Sequence, residues 1–182
     1  MLYTRKGDNG KTGTFGCSQK ISKSSDITEA LGSLDEANSY LGICRAQTEN
    51  SKIKIQETEI SKIIYKVQNN LFTIQAQVAG ADKKISKNEV QFLEEIISNI
   101  EKMLPPIKTF LIPGENIISA QFDFARTLIR RAERRVVAVS EENLAQIDPE
   151  TLVYLNRLSS LLYAFARFSA QTSGSTETPP TY

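Results

Sequence analysis

Apolar residues return at every third or fourth position through most of this 182-residue chain. The clearest run is Ile60, Ile63, Ile64, Val67, Leu71, Ile74 and Val78. At about 100° per residue these share one stripe of a helix, predicted from about Ile53 to Val78, with Gly80 suited to its C-terminal cap. Leu31, Leu34, Ala37, Leu41 and Arg45 place an earlier helix from Asp26 to about Gln47. Val90, Leu93, Ile97 and Ile100 place a third, opened at Ser86 by a capping box with Glu89 and stopped by Pro105-Pro106. A fourth runs from about Asn116 to Glu142, with Phe122, Ala125, Ile129, Ala132 and Val136 on its apolar stripe. The fifth starts at Asp148-Pro149-Glu150, aspartate at the N-cap and proline at the first helical position, and continues to about Ala170. Between the third and fourth helices, Thr109 to Asn116 is a short apolar run broken by Pro113-Gly114, a loop or strand-like connector. Five helices with short connections and almost no strand signal predict an all-α, up-and-down five-helix bundle. Residues 1–170 are expected to form one domain, with 171–182 a mobile C-terminal tail.

The chain contains no histidine. Ser-His-Asp, Cys-His and histidine–metal chemistries are thereby excluded, as are the Glu-x-x-His pairs of di-iron bundles. Two cysteines, Cys17 and Cys44, do not make a disulfide framework. The net charge of +1 argues against a general nucleic-acid binder. No N-terminal stretch reads as a signal peptide and no run approaches a membrane span, so a cytoplasmic protein with no membrane partner is expected.

The cations are segregated. Residues 1–110 hold thirteen lysines and two arginines, whereas residues 111–182 hold seven arginines and no lysine. Five of the nine arginines fall between Arg126 and Arg135. On a helix, Arg126, Arg130 and Glu133 share a stripe with Arg134 at its edge, beside the apolar face, while Arg131 and Arg135 point elsewhere. Arginine suits fixed bidentate contact with carboxylate or phosphate, so the row reads as an anion site or an interface. The alternative is a solvated face whose ion pairs contribute little each. Near the N-terminus, Gly7, Gly10, Gly13 and Gly16 recur every third residue. They allow close backbone approach to a ligand and an anion nest, or simply a flexible run of turns. The segment lacks the Walker A pattern. Asn156, Ser160, Tyr163 and Arg167 form a polar stripe on the fifth helix.

Three separated motifs, read together, carry a resemblance. They are Thr4-Arg5-Lys6-Gly7-Asp8-Asn9-Gly10 continuing to Lys23, Phe110-Leu111-Ile112-Pro113-Gly114 leading to Arg126 and Arg130-Arg131-Ala132-Glu133-Arg134, and Tyr154-Leu155-Asn156-Arg157-Leu158-Ser159. In this order and spacing the chain resembles the trimeric five-helix (PduO-type) family of ATP:cob(I)alamin adenosyltransferases, from Tyr3 to about Arg167. Glu29 to Glu36 also looks like the family's first-helix pattern. The resemblance implies transfer of the 5′-deoxyadenosyl group of ATP to reduced cob(I)alamin, giving adenosylcobalamin and triphosphate. It implies ATP as co-substrate, Mg2+ bridging its phosphates, cobalamin as substrate, and a homotrimer with sites between subunits. A cobalamin reductase and an adenosylcobalamin-dependent enzyme are the further partners implied.

By residue, the family pattern assigns Thr4, Arg5, Lys6, Gly7, Thr12, Gly13 and Lys23 to ATP, with Arg130, Arg131, Glu133, Arg134 and Asn156 completing its pocket. Phe110 matches the aromatic that displaces the lower axial base of the corrin and so creates four-coordinate cob(II)alamin. Asp35 and Arg126 match a carboxylate–arginine pair across the subunit boundary. No side chain is assigned as a metal ligand. Three positions depart from the pattern: Glu115 stands where a second glycine follows Pro-Gly, Asp123 replaces a histidine, and Ser160 replaces an aspartate. These departures surround the corrin side, and leave open an ATP-binding cobalamin carrier, or a nucleotide-responsive helical binding protein, with weak transfer. A plain α-helical interaction bundle, its arginines pairing acids on a partner, is the remaining reading.

Overall fold

The computed structural model describes residue 3, residues 5–14 and residues 20–182. Five long helices make up the body: α1 (Asp26–Ser51), α2 (Ile60–Val78), α3 (Lys87–Glu101), α4 (Ile117–Glu141) and α5 (Pro149–Thr172). The all-α bundle expected from the apolar periodicity is the architecture found. α4 packs between α1 and α5, α2 covers the other side of α1, and α3 lies on α5. Two small antiparallel hairpins complete the described chain: β1 (Lys11–Gly13) with β2 (Lys20–Ser22), and β3 (Lys54–Ile55) with β4 (Thr58–Glu59).

The apolar stripes close on one core. Leu34, Leu41, Ile60, Leu71, Ile74, Leu93, Ile100 and Ile129 are fully enclosed. Phe122 of α4 and Phe165 of α5 meet at 5.2 Å between ring centroids, tilted by 57°, in the range where aromatic pairs attract. Two polar nodes inside the bundle are paired across helices, whereas Asn38 Oδ1, Gln68 Oε1, Gln121 Oε1 and Ser169 Oγ have no hydrogen-bond partner among the described residues. The Tyr154 hydroxyl accepts from Asn70 Nδ2 at 3.1 Å, and the same amide nitrogen donates to Glu89 Oε2 at 2.8 Å, linking α5, α2 and α3. Burial pushes the Tyr154 phenol far above its usual range, so it stays protonated. Gln77 is the second such node: it donates to Asp148 Oδ2 at 2.7 Å and accepts from Thr151 Oγ1 at 2.7 Å, fixing α2 against the start of α5.

Helix ends account for the differences from the sequence-based expectations. α1 runs to Ser51 and α2 starts at Ile60, because β3 and β4 occupy the residues between them. Lys52 and Gln56 take left-handed backbone there (φ 50° and 54°), which ends α1 and turns the hairpin, and Ile55 is buried beneath it. The apolar periodicity that begins at Ile53 therefore mixes a buried strand residue with a helix. Ser86 makes no side-chain cap on α3, since Glu89 turns away to Asn70 and to Lys66 Nζ at 3.2 Å. Asn116 does cap α4, accepting from the Ser119 N–H at 2.9 Å. Gly80 closes α2 as expected: at φ 97° it lets its own N–H reach the Gln77 carbonyl and the Ala81 N–H reach that of Ala76. Gly174 repeats the arrangement at the end of α5, with φ 73° and N–H bonds from Gly174 to Gln171 and from Ser175 to Ala170.

Candidate active site

The arginine row lies where the helical wheel puts it. Ala125, Ile129, Ala132 and Val136 are buried, and the neighbouring stripe carries Arg126, Arg130, Glu133 and Arg134. Arg131 and Arg135 face α1, pairing with Glu36 and with Glu29 Oε1, the latter at 3.5 Å. Arg130 is exposed and makes no ion pair among the described residues, while its carbonyl accepts from Arg134 Nη1 at 3.1 Å. Glu133 accepts from Asn156 Nδ2 at 3.2 Å, and the Asn156 oxygen accepts from Arg157 Nη1 at 2.9 Å. Arg157 is in turn held by Glu94 at 2.8 Å. Arg130, Arg134, Glu133 and Asn156 are thus brought together on the facing surfaces of α4 and α5.

Beside this row opens a cleft of about 990 Å³. Ile97, Ile100 and Leu104 form its apolar wall at the end of α3. Phe110 stands over it, 80% exposed, on the connector between α3 and α4. Arg126, Arg130 and Ser160 line the opposite side. A large exposed aromatic above a cleft with an apolar wall and a cationic rim suits a bulky ligand whose reacting partner is anionic.

Arg126 is engaged within its own chain. Its Nε lies 3.1 Å from Asp123 Oδ1, one helical turn away, and its guanidinium sits 5.8 Å from the Tyr163 ring centroid. Asp123 is buried, and burial raises its carboxyl above the ordinary value. The hydrogen bond and charge of Arg126 pull the other way, and Glu115 adds to the rise. Asp35 is exposed on α1 and makes no ion pair among the described residues. Only Nε of Arg126 is committed to Asp123, which leaves the terminal nitrogens to face another carboxylate.

The N-terminal residues form a separate group. Gly7 sits under Lys23, where a Cβ would lie 3.0 Å from its Nζ, the mobile end of a long side chain. Lys20 Nζ donates to the Lys6 carbonyl at 3.3 Å, and the Lys23 N–H donates to the Gly10 carbonyl at 2.9 Å. Arg5, at φ 58°, stacks 5.4 Å from the Tyr3 ring centroid. Thr12 and Gly13 lie on β1. Arg5, Thr12 and Lys23 share no hydrogen bond or ion pair with Arg130, Arg131, Glu133 or Arg134. Thr4 lies outside the described residues.

Two residues beside the cleft were not singled out by the sequence motifs. Arg167 is only 8% exposed and holds Glu177 through both carboxylate oxygens, at 2.6 and 2.9 Å, while also donating to the Pro105 carbonyl at 3.0 Å. Its hydrogen bonds to Glu177 raise its already high pKa, against the effect of burial. Tyr163 lies next to it, its phenol shifted up by burial. Both belong to the polar stripe of α5, which was the available signal. Glu177 carried none, because its position depends on how the chain turns at Gly174.

A row of arginines beside a large cleft with an apolar wall suits a site that takes an anionic ligand together with a bulky one. Comparison with known proteins makes this specific: the family model for cobalamin adenosyltransferase matches residues 2–169, and the chain belongs to that family. It is 36% identical over 171 residues to the corrinoid adenosyltransferase of Citrobacter freundii, covering 94% of this chain and 96% of that protein. It is 35% identical to corrinoid adenosyltransferase PduO of the same organism, covering 91% of this chain but only 49% of that longer protein. Among solved structures, a phenylalanine-to-histidine variant of the PduO-type ATP:corrinoid adenosyltransferase from Lactobacillus reuteri, complexed with cobalamin and ATP, superposes with a TM-score of 0.87 at 29% identity. That match covers 99% of this chain and 96% of the other.

Proposed function

We propose that this protein transfers the 5′-deoxyadenosyl group of ATP to reduced cob(I)alamin, releasing adenosylcobalamin and triphosphate. The observation that carries the reading is the placement of Arg130, exposed and without an ion pair among the described residues, in a 990 Å³ cleft that Phe110 also lines, in a chain of the cobalamin adenosyltransferase family. The electron pair of cob(I) attacks C5′, a Co–C bond forms, and the C5′–O bond breaks with its electrons leaving on triphosphate. No proton is transferred, so a chain without histidine loses nothing. The corrin supplies the nucleophile, and the protein supplies orientation and charge.

In this reading Arg130 and Arg134 receive the departing phosphates, with Asn156 holding Glu133 in place beside them. Arg131 serves from its pairing with Glu36. The segment of Thr4, Arg5, Lys6, Gly7, Thr12, Gly13 and Lys23 closes on the nucleotide from a neighbouring copy, as the family resemblance implies. Arg126 of one chain would then meet Asp35 of another, in a homotrimer with sites between subunits. Among the described residues no group of three carboxylates or cysteines is placed to hold a metal. Mg2+ would arrive with ATP, as the family resemblance implies, and neutralise charge on its phosphates. Phe110 acts on the lower axial face of the corrin. A reductase that delivers cob(I)alamin and an enzyme that takes up the product are the partners this chemistry requires.

Asp123, which stands where the family resemblance expects a histidine and pairs with Arg126 at the cleft, supports a second reading, an ATP-binding cobalamin carrier with weak transfer. Formation of adenosylcobalamin from cob(I)alamin and ATP separates the two, and replacing Arg130 tests the phosphate site. Losing a charge-assisted phosphate contact removes roughly 1.5–3 kcal/mol, or about 10- to 100-fold. Arg130→Ala should lower the ATP-dependent rate of Co–C bond formation by that factor with the helical fold intact. Wild-type ATP affinity and turnover in this variant would remove Arg130 from the phosphate site.

A further inference from the structure

The connector that carries Phe110 is held from outside itself. Residues 105–116 span from the end of α3 to α4 without regular structure, and Phe110 at their centre is 80% exposed. Packing of its own side chains therefore does little to fix this segment. The external contacts come from α5 and from the residues after it. At one end, Arg167 Nη2 donates to the Pro105 carbonyl at 3.0 Å. At the other, the Ile112 N–H donates to the Thr178 carbonyl at 2.9 Å, and Ser175 Oγ donates to the Glu115 carbonyl at 3.4 Å. The residues after α5 reach this place because Gly174, at φ 73°, turns the chain sharply at the helix end.

One contact ties the two ends together. The Arg167 guanidinium takes both oxygens of Glu177, at 2.6 and 2.9 Å, and Glu177 is adjacent to Thr178, whose carbonyl receives Ile112. Arg167 is 8% exposed, so the pair is shielded from water on the arginine side and its two-point geometry is fixed. From a single buried side chain, the start of the connector and its far end are thus both positioned. Breaking the pair would leave a buried guanidinium with one protein acceptor.

We infer that Arg167 and Glu177 are positioning residues for the corrin reaction: their bidentate pair clasps the 105–115 connector at both ends and sets Phe110 over the cleft. The inference rests on the proposed role of Phe110 and adds the device that holds it. It assigns a function to residues 174–178, which none of the motifs reach.

Glu177→Gln keeps the shape and removes the charge, whereas Glu177→Asp keeps the charge with a shorter reach. Two readouts on the full-length chain decide the matter. The first is amide hydrogen exchange across 105–115 in the ligand-free protein. Loss of one charge-assisted contact should speed exchange there about tenfold in Glu177→Gln, with partial recovery in Glu177→Asp and no change in α2. The second is the four-coordinate fraction of cob(II)alamin with ATP bound. It should fall by a similar factor in Glu177→Gln while ATP affinity is unchanged. Unchanged exchange across 105–115 would overturn the clasp. Faster exchange with a full four-coordinate signal, in a protein where Phe110→Ala abolishes that signal, would overturn its positioning role. Should Phe110→Ala itself leave the signal intact, the role of Phe110 falls, and with it the positioning of Phe110 for the reaction. The exchange data then decide only whether the clasp holds the connector.

Discussion

At the scale of single residues, the chemistry of this protein turns on which arginines are committed and which are not. Arg131 and Arg135 are spent on α1, Arg157 on Glu94 and Arg167 on Glu177, whereas Arg130 has no carboxylate among the described residues. The helical wheel of residues 126–135 anticipated this division, since it turned Arg131 and Arg135 away from the row. The wheel could not show that Asp123 takes Arg126, because a residue one turn away can point to solvent or to its neighbour with equal ease. Cys44 illustrates a group kept out of chemistry. It is 1% exposed, and burial pushes its thiol up to about 12. In a Cys17→Ser background at pH 8, a thiol reagent should label Cys44 only on the timescale of global unfolding. Stoichiometric labelling of the native protein within minutes would contradict its placement in the core.

At the scale of elements, the five helices were legible because their apolar stripes have one period and one partner, the shared core. What was not legible lay at the ends. The β3–β4 hairpin hides in a helical-looking run because Ile55 is buried, and Ile53 partly so, for a reason other than helix packing. The capping box at Ser86 is absent because Glu89 finds a better-enclosed partner in Asn70. Gly80 was legible as a cap because glycine is the residue that tolerates φ 97° at low cost. Gly80→Ala should therefore destabilise the protein by about 1–2 kcal/mol, the penalty of a left-handed residue with a Cβ. Urea unfolding measures this directly. A midpoint unchanged from wild type, with the same slope, would mean that the end of α2 does not depend on this turn.

At the scale of the whole molecule, the proposed site draws on two groups of residues far apart in the sequence. The arginine row and Phe110 line one cleft, while Gly7 and Lys23 belong to the N-terminal segment that pairs β1 with β2. The sequence held both halves as motifs, but no spacing along a chain tells whether they meet in the same copy. The proposed homotrimer would let one copy's N-terminal segment close on another's arginine row. Sedimentation at micromolar concentration should accordingly give three times the chain mass, and Asp35→Asn should lower activity through its loss to Arg126 of a neighbouring copy. A fully active monomer would refute the shared site. The central claim is the transfer itself, and one measurement addresses it: anaerobic cob(I)alamin and ATP are mixed with the protein and the absorption spectrum is followed. The spectrum of adenosylcobalamin should grow in, with one triphosphate released per Co–C bond formed. A cob(I)alamin spectrum that persists with ATP bound would contradict it and leave a carrier in its place.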